Sequence, residues 1–317
     1  MEVQKKLFET FKCLDSKHLL VERVGEILGI SDDAAYRRIR GQTELTFTEL
    51  EKLCSAFGVS LDGIFKIKSP YRMEPYYYYS QDYFNMQDMD FNMSRDYIRS
   101  IQVAAKNTYS EFGFVTNNVI LHTRTLYPAI FRFFLFKWMY QRGGRSRIVP
   151  FSQAVIPDQL QELHNDYNNW VTKIKYTFII YQELFLQGIV QDIEYFRDIR
   201  LLTPADVSLL KESFGKMLSH MEQLIIDGVF ETGNKIDIYV SGLNLDMSYS
   251  YLYSDFITIS MIDAFTVGAM ASIDANTCED MQKWMQSLKH TSTLLSGCSE
   301  RTRFRFFEKQ RAFLNKL

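Results

Sequence analysis

The chain has 317 residues, 46% of them hydrophobic and 15% aromatic, which is enough for two or three domains with sizeable cores. Its formal net charge of -2 excludes a strongly basic protein, so any contact with a polyanion must come from a local patch. The first 68 residues are themselves balanced, eleven Lys and Arg against eleven Asp and Glu, and predict modest, salt-sensitive non-specific affinity for such a partner.

Val3 to Leu14 sets Leu7, Phe8, Phe11 and Leu14 at helical spacing, predicting a first amphipathic helix. Leu20 to Leu28 follows, with Val21, Val24 and Leu28 on one face and Gly25 where two helices would need to approach closely; Gly29 stops it. Ser31 is placed to cap the next helix, whose first turn carries Asp32 and Asp33, where the helix dipole favours negative charge. On that helix Ala35 and Ile39 face inward, Tyr36, Arg37 and Arg40 outward, and Arg38 lies at the margin before Gly41 ends it. Thr46 to Glu49 reads as a capping box for a helix with Leu50, Leu53, Cys54 and Phe57 as its apolar stripe. Ser60 opens a last short helix over 61–65. Five short helices with brief connections predict a compact all-α domain over 1–68.

These residues resemble the Cro/C1-type helix-turn-helix of bacterial repressors. The resemblance covers residues 18–65 and is carried by V-G-E-I-L-G-I-S at 24–31, R-R-I-R-G at 37–41 and T-x-x-E-L-x-x-L-C-x-x-F-G-V-S-L-D at 46–62. It implies a recognition helix over 31–40 that enters the major groove of double-stranded DNA. Ser31, Asp32, Asp33, Tyr36, Arg37, Arg38, Arg40 and Thr43 are then the expected DNA-binding residues. Arg37 and Arg40 suit guanine or phosphate, because a guanidinium fork bonds O6 and N7 together. Tyr36 suits stacking or a thymine methyl, and Ser31 and Thr43 the phosphate backbone. Asp32, Asp33 and Tyr36 depart from the small polar residues usual there. An acidic first turn repels phosphate, which favours a site where Asp32 or Asp33 accepts from a cytosine or positions an arginine. The alternative is a solvated face in which the arginines pair with Asp32, Asp33 and Glu44.

Residues 69–87 read as a linker, with a tyrosine run at Tyr76–Tyr79 that suits packing against a neighbouring domain better than a stacking platform for bases. The rest, 88–317, is expected to be a helical plus α+β sensor or dimerisation domain with a sub-boundary near 231. Met89 to Ser110 has helical spacing, Val115 to Thr123 suits a short strand or an extended entry to a helix, and Leu126 to Tyr140 is apolar all round, as a central helix would be. Gln141 to Arg147 is a basic turn whose paired glycines suit a solvated loop better than a phosphate nest. Pro157 to Phe196 is expected to hold two amphipathic helices, one with Leu160, Leu163 and Tyr167, the other with Ile179, Ile180, Leu184 and Ile189. Thr203-Pro204-Ala205-Asp206 opens another whose Val207, Leu210, Phe214, Met217, Met221 and Leu224 form a heptad-like seam, open between an internal packing face and a dimer contact. Lys235–Val240, Tyr249–Ser254 and Phe256–Ala264 read as antiparallel strands, and two helices close the chain, the last with Arg301, Arg303, Arg305 and Arg311 on a solvated face. The expected fold class is mainly α: a five-helix helix-turn-helix domain, then a large α+β domain made of a helical bundle, a small antiparallel sheet and two C-terminal helices.

Across nearly its full length the chain also resembles a group of helix-turn-helix regulators common in Bacteroidetes bacteria. The residues concerned are AAYRRIRG at 34–41, PAIFRFFLFKWM at 128–139, QDIEYF at 191–196, HMEQLIIDG at 220–228 and STLLSGCSERTRFRFFEKQR at 292–311. No H-E-x-x-H, Walker loop, G-x-S-x-G elbow or dinucleotide fingerprint occurs, and the five histidines have no ligand-like spacing, so no enzyme, metal or cofactor is expected. Ser296 and Cys298 would be the first place to look for a nucleophile. Cys13, Cys54, Cys278 and Cys298 lack a framework and suit a reducing cytoplasm. Neither a secretory signal nor a membrane span is expected. The expected function is a DNA-binding transcriptional regulator, a homodimer with a small-molecule or protein effector. The alternative is a helix-turn-helix protein that acts as a protein interaction module without reading DNA.

Overall fold

The computed structural model describes residues 4–5, 7–9, 11, 20–57, 76–79, 82–143 and 148–317. The chain forms two compact units, Met1–Pro75 and Tyr76–Leu317. The helix expected over 61–65, the Ser60 cap, most of the 69–87 linker and the Gly-Gly turn near 144–147 lie outside the described residues.

In the first unit, α1 (Leu20–Leu28), α2 (Asp32–Ile39) and α3 (Phe47–Phe57) follow a helical amino-terminal segment. Their core is Leu7, Phe8, Phe11, Val24, Ala35, Leu53 and Cys54, with Phe57 stacked on Phe11 at 4.3 Å between ring centroids. This small apolar centre is what sets the three helices against one another.

The second unit is built on a sheet of eight strands among the described residues. They are β1 (Tyr77–Tyr79), β2 (Ser110–Thr116), β3 (Tyr176–Gln182), β4 (Lys235–Ser241), β5 (Tyr249–Ser254), β6 (Thr258–Ala264), β7 (Gly268–Ser272) and β8 (Ser292–Leu294), in the order β1-β7-β6-β5-β2-β3-β4-β8. The β2–β3 and β3–β4 pairs are parallel; the other neighbours are antiparallel. Parallel neighbours need long crossovers, and helices supply them. Between β2 and β3 run α5 (Leu121–Leu126), α6 (Pro128–Gly143) and α7 (Asp158–Val171); between β3 and β4 run α8 (Phe185–Asp198) and α9 (Pro204–Asp227). The unit is completed by α4 (Asp88–Ala105) before the sheet and by α10 (Ala275–Leu288) and α11 (Glu300–Leu314) after β7 and β8.

The sheet is therefore mixed and central, not small and antiparallel. Tyr176 to Gln182, expected within a helix, is the middle parallel strand. Its side chains alternate between two cores: Ile179 and Tyr181 enter the large one, Phe178 and Ile180 the smaller one beneath α10. A strand covered on both faces reads as an unbroken apolar run, which is why helix and strand look alike in YTFIIY. Across the sub-boundary expected near 231, β4 pairs with β3 along its whole length. Within the segment read as linker, Tyr77–Tyr79 is a strand that pairs with β7.

Other local expectations hold. α6 carries the apolar run and buries Ile130, Phe131, Phe133, Phe134, Leu135, Phe136 and Trp138. α9 opens on a full capping box, Thr203 Oγ1 accepting from the Asp206 amide and Asp206 from the Thr203 amide, with Pro204 in the first turn. Its seam, Val207, Leu210, Phe214, Met217 and Met221, is buried inside the unit, which leaves it unavailable to a second copy. Among the described residues no helix is long and apolar enough to cross a membrane.

Gly113 sits where β2 passes beneath α10. A Cβ there would lie 2.6 Å from Tyr251 Cε1 and 2.7 Å from Phe178 Cε1, both rings belonging to the smaller core. Overpacking of this kind costs about 1–3 kcal/mol. Gly113→Ala is expected to destabilise the second unit by that amount, read from urea unfolding; an unchanged midpoint would show that the two rings can move aside.

Candidate nucleic-acid interface

Two glycines with positive φ punctuate the first unit. Gly29 (φ 66°) follows α1, and the Ile30 amide reaches back to the Gly25 carbonyl at 3.0 Å. Gly41 (φ 73°) follows α2, and the Gly41 and Gln42 amides return to the Arg38 and Arg37 carbonyls at 3.0 and 2.9 Å. Both are Schellman-type stops, and glycine tolerates the left-handed backbone they need. Gly25 also permits the turn itself: a Cβ on it would lie 3.1 Å from the Ile30 carbonyl oxygen and 3.3 Å from Asp32 Oδ1. Ser31 has the extended backbone of a cap residue, but its hydroxyl makes no capping bond, so it begins α2 by conformation alone.

With its ends fixed, α2 turns Ala35 into the core and presents Asp33, Tyr36, Arg37 and Arg40 to solvent. Spacings of three and four residues put these four on one stripe. The three arginines separate sharply. Arg38 points away from the stripe, its Nε donating to Glu49 Oε1 at 3.0 Å, its Nη2 lying 2.7 Å from the same oxygen, and its Nη1 donating to the Ala34 carbonyl at 3.2 Å. It is thus a tie between α2 and α3. Arg40 donates to the Tyr36 hydroxyl at 3.1 Å and lies 5.3 Å from the centre of that ring, so the two form one prearranged amphipathic group. Arg37 is exposed, and among the described residues neither Arg37 nor Arg40 has an acidic partner. Asp32 and Asp33 are exposed and position neither arginine. Thr43 is half-buried in the turn that follows, its amide 3.3 Å from the Arg37 carbonyl.

Glu49 serves twice. It accepts from the Thr46 amide at 3.0 Å while Thr46 Oγ1 accepts from the Glu49 amide at 3.2 Å, completing the expected capping box, and it holds Arg38. The Arg38 hydrogen bond above all, then the Thr46 amide, keeps its carboxyl below the ordinary range despite partial burial. Sequence reasoning saw the cap and missed the ion pair, because the partner lies on the preceding helix. Gln4 was also missed. Its Nε2 donates to the Arg38 and Thr43 carbonyls at 2.7 and 2.9 Å, which satisfies the end of α2 and braces the turn beyond it.

This turn, with its short preceding helix and outward-facing second helix, is a helix-turn-helix. Residues 12–64 match the family described as Helix-turn-helix, a span that takes in α1, α2 and α3. Comparisons with curated proteins and with solved structures gave no match.

Removing the Glu49 carboxylate deletes a cap and a half-buried charge-assisted bond. Glu49→Ala is expected to cost about 1–2 kcal/mol, read as faster amide exchange in α2 and α3 of the full chain. A depressed folded-state pKa also means that this stabilisation is present above the ordinary carboxyl value of 4.5 and is lost as pH falls through the folded one. Glu49→Gln should therefore show a flatter acid dependence of exchange than wild type; parallel profiles would contradict the coupling.

Proposed function

We propose that the chain is a sequence-specific DNA-binding transcriptional regulator that works beside the genome in the cytoplasm, with α2 as its recognition helix. The observation that carries this reading is the division of labour among the arginines. Arg38 is consumed by Glu49, whereas Arg37 and the Tyr36–Arg40 pair face outward without acidic partners among the described residues. A purely solvated face would instead pair Arg37 and Arg40 with Asp32, Asp33 or Glu44. Arg37 then reads a base edge, Arg40 and Tyr36 act together on a base or phosphate, and Ser31 and Thr43 lie where the backbone passes. Asp33 disfavours close phosphate approach on its side of the stripe and favours a cytosine amino group there.

A balanced first unit gives little non-specific attraction, so affinity on this reading comes from two copies of the module on a palindromic site. Residues 76–317 are assigned dimerisation, effector sensing or both. The large size of this unit relative to the reader supports that division.

A guanidinium paired with a base contributes about 1–3 kcal/mol of discrimination. Arg37→Ala is expected to weaken binding of the full chain to its palindromic site by about 5- to 150-fold and to relax selectivity at one position of each half-site. Fluorescence anisotropy with site and scrambled duplexes measures both, with amide exchange confirming that α2 stays folded. Unchanged affinity would contradict the assignment.

A further inference from the structure

The second unit holds a cavity of about 370 Å³ between α4, α5 and α7 on one side and β2, β5, β6 and β7 on the other. Cavities of about 300–1,000 Å³ are the size that takes small ligands. Most of the wall is apolar, including Phe114, Ile120, Phe131, Leu160, Ile259 and Met261. Of its charged side chains, Asp96 on α4 pairs with Arg99 at 2.8 Å, which leaves two opposite charges, Arg124 from α5 and Asp263 from β6.

Neither charge is used up by the protein. Arg124 is 5% exposed and lies 4.1 Å from the centre of the Phe134 ring. It donates to the Val119 and Thr266 carbonyls, two of the five N–H groups that a guanidinium carries. Among the described residues it has no ion pair, and no protein donor reaches the Asp263 carboxyl. The Asp263 side chain is accessible, yet the surrounding protein raises its carboxyl above the ordinary range against the pull of Arg124. Access without hydration of the bulk kind fits a group that faces an internal space. The same wall contains His164 and Tyr167, whose Nδ1 and hydroxyl have no hydrogen-bond partner among the described residues. Burial lowers the His164 pKa to about 4, so the imidazole is neutral at pH 7 and adds no charge to the cavity.

We propose that this cavity binds a compact zwitterion with an apolar body, the chemistry of a free hydrophobic amino acid, its carboxylate on Arg124 and its ammonium on Asp263. A buried charge is costly until it is paired. A plain carboxylate would satisfy Arg124 and meet like charge at Asp263; a plain amine would do the reverse. Only a ligand bearing both signs on one head completes both partners while its body fills the apolar wall. This deepens the effector half of the proposed function and concerns residues of the second unit alone.

Calorimetric titration of the full chain with L-leucine, L-methionine and L-phenylalanine tests the proposal, beside 3-phenylpropionate and phenethylamine as carriers of one charge each. At least one amino acid is expected to bind about tenfold or more tightly than either single-charge analogue. Arg124 also braces Val119 and Thr266, so its replacement risks the fold, whereas Asp263→Asn loses no hydrogen bond of the protein. That variant should bind the amino acid about tenfold or more weakly and 3-phenylpropionate at least as well as before. Absence of binding by all three amino acids, or an amino-acid affinity untouched by Asp263→Asn, would overturn the proposal. The titration contains no DNA, so its failure is separable from a failure of DNA recognition.

Discussion

The Glu49 carboxylate fixes the orientation of everything that α2 presents. By capping α3 and holding Arg38 in the same act, it ties the roll of α2 to the start of the next helix. A rotation of α2 by about 100°, the step of one residue, would bring Arg38 to the place of Arg37 on the outer stripe. Gln4 supports the arrangement from the other end, where its Nε2 donates to the Arg38 and Thr43 carbonyls. Arg37, Tyr36 and Arg40 are thus displayed by a rigid element whose own charges are internally settled, the preorganisation that a reading surface needs.

The second unit solves a different problem. Three parallel strands at its centre are covered on both faces and are framed by long crossovers through five helices. Gly113 marks the tightest point of that sandwich, where two aromatic rings occupy the space of a side chain. On the other face, away from α10, the helices do not fill the volume completely. The resulting cavity has the Arg124 guanidinium and the Asp263 carboxyl in its wall.

How much of this was legible in the sequence depended on whether the governing contacts were local. The glycine stops at 29 and 41, the Thr46–Glu49 box and the Thr203–Asp206 box are decided within four or five residues and are found where the sequence places them. The inward and outward residues of α2 likewise follow from spacing alone. Helical spacing puts Arg38 at the margin and carries no sign of its tie to Glu49, because that partner is on another helix. β3 was read as helix because double-sided burial removes the alternation that betrays a strand, and the parallel ladder that overrides helical spacing is non-local. β7 and β8 went unrecognised, being short and defined chiefly by their neighbours. Arg124 and Asp263 carried no signal at all, since only the folded sheet brings α5 and β6 to one cavity.

If α2 reads DNA at defined sites, genome-wide occupancy of the protein in its own cells will show it. The expected result is a limited set of sharp peaks at promoters, sharing an inverted repeat whose half-sites lie about one helical turn apart, and lost when Arg37 is replaced. Uniform low occupancy with no shared sequence, at normal protein levels, would contradict it.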